Sequence, residues 1–158
     1  MDIQSMFNAQ KNFNNTFKIS PELNLYKLSA RKHLEFEIKL GQLADETKCF
    51  NYLLNKKNII DIDSVFNKYI TCISMALTLG LDNNYTDLIS ASTYPNDYCL
   101  SDQFLNLYID INDLLASPSF DHYITLIEDL LSLGLTLGFS EDKIEQEFIN
   151  KSFEKIVL

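Results

Sequence analysis

The side chains best suited to acid–base, nucleophilic or metal chemistry are dispersed along this chain. Its two histidines, His33 and His122, have no cysteine or carboxylate at the spacing of a zinc site or a nucleophilic triad, so each reads as a surface or half-buried helix residue. The three cysteines, Cys49, Cys72 and Cys99, are widely separated and contain no CxxC pair. An odd, scattered set argues against a disulfide framework or a zinc knuckle and for a reducing compartment. Cys72 falls on the apolar side of a helical pattern, where it serves as a small hydrophobe. Asp110 and Asp113, with Glu128 and Asp129 further on, do not repeat a spacing. Neither Glu128 nor Asp129 has an acid three residues later, so the group reads as a solvated acidic face.

The elements that must position these residues are helical. Only 4 Gly and 3 Pro occur in 158 residues, too little punctuation for many short strands and hairpins. Ile3, Met6, Phe7, Gln10, Phe13 and Phe17 recur at steps of three and four, one face of a first helix. Ser20-Pro21-Glu22 predicts the start of a long second helix through Leu34, Ile38 and Leu43 to about Leu54. A third helix is expected from Ser64 to a stop at Gly80, buried through Val65, Tyr69, Ile73 and Leu77. After an irregular connection over 81–100, a fourth runs from Ser101 to about Leu115, a fifth ends near Gly138, and Ser140 caps a sixth. Leu77 to Leu81 and Leu135 to Phe139 are similar strings, the trace of a weak internal duplication. The expected architecture is an all-α bundle of about six helices, forming one domain over 1–158.

Composition sets outer bounds. With 46% hydrophobic residues, 11 Phe and 8 Tyr, the chain can fill one substantial core. A net charge of -9 with scattered lysines repels a phosphate backbone, so no nucleic-acid partner is expected. There is no basic-then-apolar leader and no uninterrupted apolar run of about 18 residues. A cytoplasmic protein without membrane contact is expected.

The stretch Ile38-Lys39-Leu40-Gly41-Gln42-Leu43-Ala44-Asp45-Glu46-Thr47-Lys48-Cys49-Phe50-Asn51-Tyr52 resembles V-E-L-G-E-L-A-N-E-T-R-C-F-K-Y of the dimeric, all-α dUTP pyrophosphatases (dUTPases). Phe66 to Leu81 is similar to that family's L-E-E-Y-V-D-G-L-H-F-I-L-S-L-G-L, Met6 to Gln10 to its first helix, and Leu137 to Ser140 with Phe148 to Ser152 to its last. The resemblance implies the all-α NTP pyrophosphatase fold, a homodimer joined through the first helices, and a glutamine at Gln10 that reads uracil. It also implies magnesium held by E-x-x-E and E-x-x-D. Here those four positions read Lys39, Gln42, Lys68 and Thr71, and an ammonium group repels a divalent cation. The family's K-N-x-x-N string reads Lys151, Ser152 and Lys155, its tryptophan reads Leu53, and the chain stops at Leu158 before the arginine-bearing tail of such enzymes.

The reading that follows is a dUTPase-like pseudoenzyme with no catalytic residues, no metal and no cofactor, acting as a binding or regulatory module through a protein partner. Residual nucleotide contacts are expected at Gln10, Asp45, Glu46 and Lys151. Two other readings use the same residues. One is an active nucleoside triphosphate pyrophosphatase with a rearranged magnesium site, in which Glu46 works with acids from a partner subunit. The other is a metal-independent nucleotide sensor in which Lys39 and Lys68 meet phosphate. A phage or bacterial source fits the resemblance.

Overall fold

The computed structural model describes residues 1–87 and 93–150. Among these there are six helices and no strand: α1 (Ile3–Asn14), α2 (Leu25–Thr47), α3 (Ile62–Asp82), α4 (Leu100–Ala116), α5 (Phe120–Thr136) and α6 (Glu141–Ile149). The long helix α3 is central. It packs against α1, α2 and α5, while α4 lies against α2 and α5 and α6 against α1.

Caps, more than apolar spacing, decide where the helices begin. The second helix starts at Leu25 rather than at Pro21. Ser20 to Leu23 forms a turn, with the Leu23 N–H donating to Ser20 O at 3.2 Å. Asn24 then takes the cap by accepting from the Lys27 N–H at 2.8 Å. The helix stops at Thr47, not Leu54, because Lys48 turns left-handed at φ 54. On α3 the Asp61 carboxylate accepts from the Asp63 and Ser64 N–H groups, which places the start two residues earlier than expected. Ser119 and Ser140 cap α5 and α6 in the same way.

Gly80 is not a stop. The helix continues to Asp82 and ends through Asn84, at φ 59, with the Tyr85 N–H donating back to Gly80 O at 2.8 Å. What Gly80 provides is a close approach. A Cβ there would lie 2.2 Å from the Tyr123 hydroxyl oxygen, and one at Gly134 would lie 2.2 Å from that of Tyr69. The contact is reciprocal: Tyr69 donates to Leu130 O at 2.9 Å and Tyr123 donates to Ala76 O at 3.0 Å. Gly138, at φ 89, ends the α5 segment with the Phe139 N–H donating to Gly134 O at 2.9 Å. The duplication therefore matches Gly80 with Gly134, and Tyr69, Asn84 and Tyr85 with Tyr123, Gly138 and Phe139. The string comparison paired Gly80 with Gly138, one helical turn out of register.

The second helix carries two apolar stripes, and the structure uses one. Phe36, Leu40 and Leu43 are fully buried, whereas Leu34 and Ile38 remain 58% and 51% exposed. Conversely, the apolar face of α1 is spent inside this chain: Ile3, Met6, Phe7, Gln10 and Phe13 are all buried. His33 is buried as well, at 6% exposure, deeper than a surface or half-buried position. Among the described residues no helix is long and apolar enough to cross a membrane.

The reciprocal contact yields a test. Gly80→Ala forces Tyr123 out of its hydrogen bond and should cost about 1–3 kcal/mol in chemical denaturation, as overpacking does. Gly134→Ala should cost a similar amount through Tyr69. An alanine at either site with unchanged stability would contradict the close approach.

Candidate functional site

The groove between α2 and α3 holds most of the residues singled out in the sequence. The two helices run antiparallel, as shown by Lys32 pairing with Asp82 at 2.6 Å near one end and Lys68 pairing with Glu46 at 3.1 Å near the other.

At the first end, α1 closes over the groove and leaves a cavity of about 320 Å³, a size at the small end of ligand pockets. Phe13, Phe17, Leu28 and Met75 supply apolar wall, and Arg31, Lys32 and Glu35 also line it. Its polar lining is a chain of side chains: Gln10 donates to Asn14 Oδ1 at 2.8 Å, and Asn14 donates to the Thr78 hydroxyl at 3.1 Å. Two side-chain atoms of the lining residues, Gln10 Oε1 and Ser74 Oγ, are buried without a hydrogen-bond partner. Leaving a buried polar atom unsatisfied costs about 1–3 kcal/mol. A ligand that drew either side chain towards the cavity and into a hydrogen bond would recover that cost.

In the middle of the groove, the positions expected to carry carboxylates carry none. Lys39 is half-buried and has no ion pair among the described residues, and Gln42 is exposed. The Thr71 hydroxyl is turned back onto its own helix, donating to Asn67 O at 3.1 Å. Lys68 donates to the Ser64 hydroxyl at 2.9 Å as well as pairing with Glu46. Glu46 is thereby tied up: hydrogen bonds from Ser64 and Lys68 hold its carboxyl below the usual carboxylate range.

A magnesium cage needs several oxygen anions around one point. Among the described residues no three His, Cys, Asp or Glu side chains come together to hold a metal ion. The donor set of ammonium, amide and inward-bonded hydroxyl does not fit the ion.

Other expected positions fall outside this constellation. Asp45 is exposed and pairs with Lys48 at 3.2 Å, apart from Glu46 despite its adjacency in sequence. Lys151 lies outside the described residues, with Ser152 and Lys155. His122 is half-buried near the start of α5, its Nδ1 2.7 Å from Ser117 O. Cys72 is fully buried, and burial pushes its thiol far above the range of a nucleophile.

The acidic group on α4 and α5 is not a solvated face throughout. Asp110 is buried, and its pKa is raised to about 8, first by that burial and then by a hydrogen bond to the Asp129 carboxyl. Burial and a neighbouring acidic group both favour the protonated form of Asp110. Sequence spacing did not reveal this, because Asp110 and Asp129 sit on different helices.

Asn14, Ser74 and Thr78 were also missed as site residues. Ser74 and Thr78 lie in an almost continuously buried helix, where a lone hydroxyl carries no spacing signal. Only Gln10 connected this pocket to the sequence.

Bundle, groove and base-sized cavity together define an all-helical protein with a ligand cleft between α2 and α3. A family model described as dUTPase matches residues 2–155, and the chain belongs to the dimeric all-α dUTPase family. Neither a curated protein nor a solved structure matches it.

The Asp110 pair makes stability depend on pH. The folded state keeps a proton that the unfolded chain releases above about pH 3.8. The contribution is therefore complete below that value and is lost as pH climbs through about 8. Thermal melts should show a midpoint that falls over this window, and Asp110→Asn should flatten the slope and be the more stable form at its upper end. Equal slopes for the two proteins would refute the proton retained by Asp110.

Proposed function

We propose that this dUTPase-family chain is a pseudoenzyme: a binding or regulatory module, dimeric and cytoplasmic, that acts through protein contacts without metal-assisted pyrophosphate cleavage. The observation that carries this reading is the state of the groove. Where the family resemblance calls for four carboxylates, Lys39, Gln42, Lys68 and Thr71 stand instead, and the nearby Glu46 is held by Lys68 and Ser64. Metal-assisted hydrolysis requires an ion to neutralise phosphate charge and to activate water, and these side chains supply neither the ligands nor a substitute base.

A second reading is favoured by a different observation. Gln10 and Ser74, whose Oε1 and Oγ are buried without a partner, border a largely apolar cavity, and a small rotation of either side chain would bring it to the N–H and carbonyl groups of a pyrimidine ring. Lys39, farther along the groove and unpaired, suits the phosphate. The chain would then be a metal-independent nucleotide sensor, with ligand occupancy modulating its protein contacts.

Two assays separate the readings from an active enzyme. Incubation with dUTP and magnesium should give no turnover; hydrolysis that is abolished in Glu46→Gln would overturn the pseudoenzyme reading. Calorimetry with dUMP and dUTP should show binding indifferent to chelator if the sensor reading holds. In that case Gln10→Ala should weaken both ligands about tenfold or more, the scale of one lost buried hydrogen bond, and Lys39→Glu should weaken dUTP more than dUMP.

A further inference from the structure

We propose that the connection between α2 and α3 is a docking surface for an acidic segment of a partner protein that also carries apolar side chains. The proposal rests on the protein-contact part of the function above, for which it names the partner's chemistry, and is independent of the nucleotide reading.

The connection covers residues 48–61, since α2 ends at Thr47 and α3 begins at Ile62. Neighbouring helices need only about 2–8 residues to join, so it is longer than closure requires. Its shape is set by its own bonds. Lys48 turns the chain at φ 54, and Asn51 Oδ1 accepts from the Leu53 N–H at 3.0 Å. Across the loop, Asn51 Nδ2 donates to Asn58 Oδ1 at 3.0 Å. This path turns apolar side chains outwards. Phe50, Tyr52, Leu53, Leu54, Ile59 and Ile60 are each at least 50% exposed, and Tyr52, Leu54 and Ile59 at least 89%. Large apolar groups scattered singly over a surface need no explanation, but a cluster of this kind marks a contact site.

Charge selects the occupant. Residues 47–60 contain Lys48, Lys56 and Lys57 and no Asp or Glu, in a chain whose net charge is -9. The three lysines line an open recess of about 440 Å³, with Asn51, Asn55 and Asn58 between them. Lys48 is engaged by Asp45 at 3.2 Å. Lys56 and Lys57 are exposed and have no ionic partner among the described residues. Ammonium groups only donate and side-chain amides can donate, so the recess suits carboxylate oxygens. The exposed apolar groups lie on either side of it in the chain, so a partner must bring acid and apolar surface together. A second copy would set the same positive loop against itself in a twofold contact and be repelled. An anionic bilayer would attract the lysines but repel the acidic remainder of the chain, and a lone phosphate would leave the apolar groups unserved. An acidic protein segment satisfies both demands.

Fluorescence anisotropy of the full chain with a labelled synthetic peptide of alternating glutamate and leucine tests the proposal. Saturable binding is expected, weakened by added salt as exposed charge pairing is. Lys56→Glu combined with Lys57→Glu should weaken it roughly tenfold, and Leu54→Ser combined with Ile59→Ser should weaken it as well. All four positions are exposed, so helical circular dichroism should be unchanged. The charge-reversed protein should prefer a peptide of alternating lysine and leucine. No binding by the parent protein, or an affinity indifferent to the lysine reversal, would overturn the surface. Tighter association with phosphatidylserine vesicles than with the peptide would overturn it too, as would a dimeric parent that Leu54→Ser with Ile59→Ser converts to single chains. Peptide binding together with dUTP turnover would support this surface while overturning the pseudoenzyme reading, and absence of both would overturn the surface alone.

Discussion

The close approach of α3 and α5 is the constraint on which the rest of the arrangement depends. Two tyrosines, Tyr69 and Tyr123, each lie over a glycine of the opposite helix and hydrogen-bond a carbonyl one turn before it. A buried phenol needs a partner for its hydroxyl, and a backbone carbonyl becomes accessible where the facing residue has no Cβ. These contacts hold α3 in the centre of the bundle. Its other sides are then free to receive α1 and α2, and the groove between α2 and α3 follows from that placement.

Electrostatics in the groove carries the proposal that this chain does not perform metal-assisted cleavage. The Lys68–Glu46 pair is partly exposed, so solvent screens it and its direct contribution to stability is small. Its consequence is chemical. It engages Glu46 and places an ammonium where the family resemblance calls for an anion. The small cavity two to three turns away has an apolar wall and is bordered by Gln10, so the two ends of the groove differ in chemistry.

Much of this was legible in the sequence. Six helices, most of the buried stripe of α1, and the Ser140 cap of α6 follow from periodicity and cap chemistry. The family resemblance pointed to Lys39, Gln42, Lys68 and Thr71, and the structure places all four on α2 and α3. The errors had physical causes. Pro21 is compatible with a helix start, but Asn24 supplied the side-chain cap that decided it. Leu34 and Ile38 satisfy helical spacing as well as Phe36 and Leu40 do, and periodicity cannot say which of two stripes a monomer buries. The glycine in the Leu79-Gly80 pair looked like a terminator because its other use, contact with Tyr123 from a distant helix, is a tertiary fact. The same holds for Asp110, whose raised pKa comes from its burial and from Asp129 across a helix boundary, and for Ser74, whose significance comes from the cavity it borders.

The central claim is that the α2–α3 groove does not hold a divalent cation. Electron paramagnetic resonance of manganese, which takes the same hard oxygen ligands as magnesium, tests it most directly. Titrating the protein into free Mn²⁺ should leave the aqueous signal undiminished, and Glu46→Gln should behave identically. Stoichiometric loss of that signal, restored by Glu46→Gln, would contradict the account.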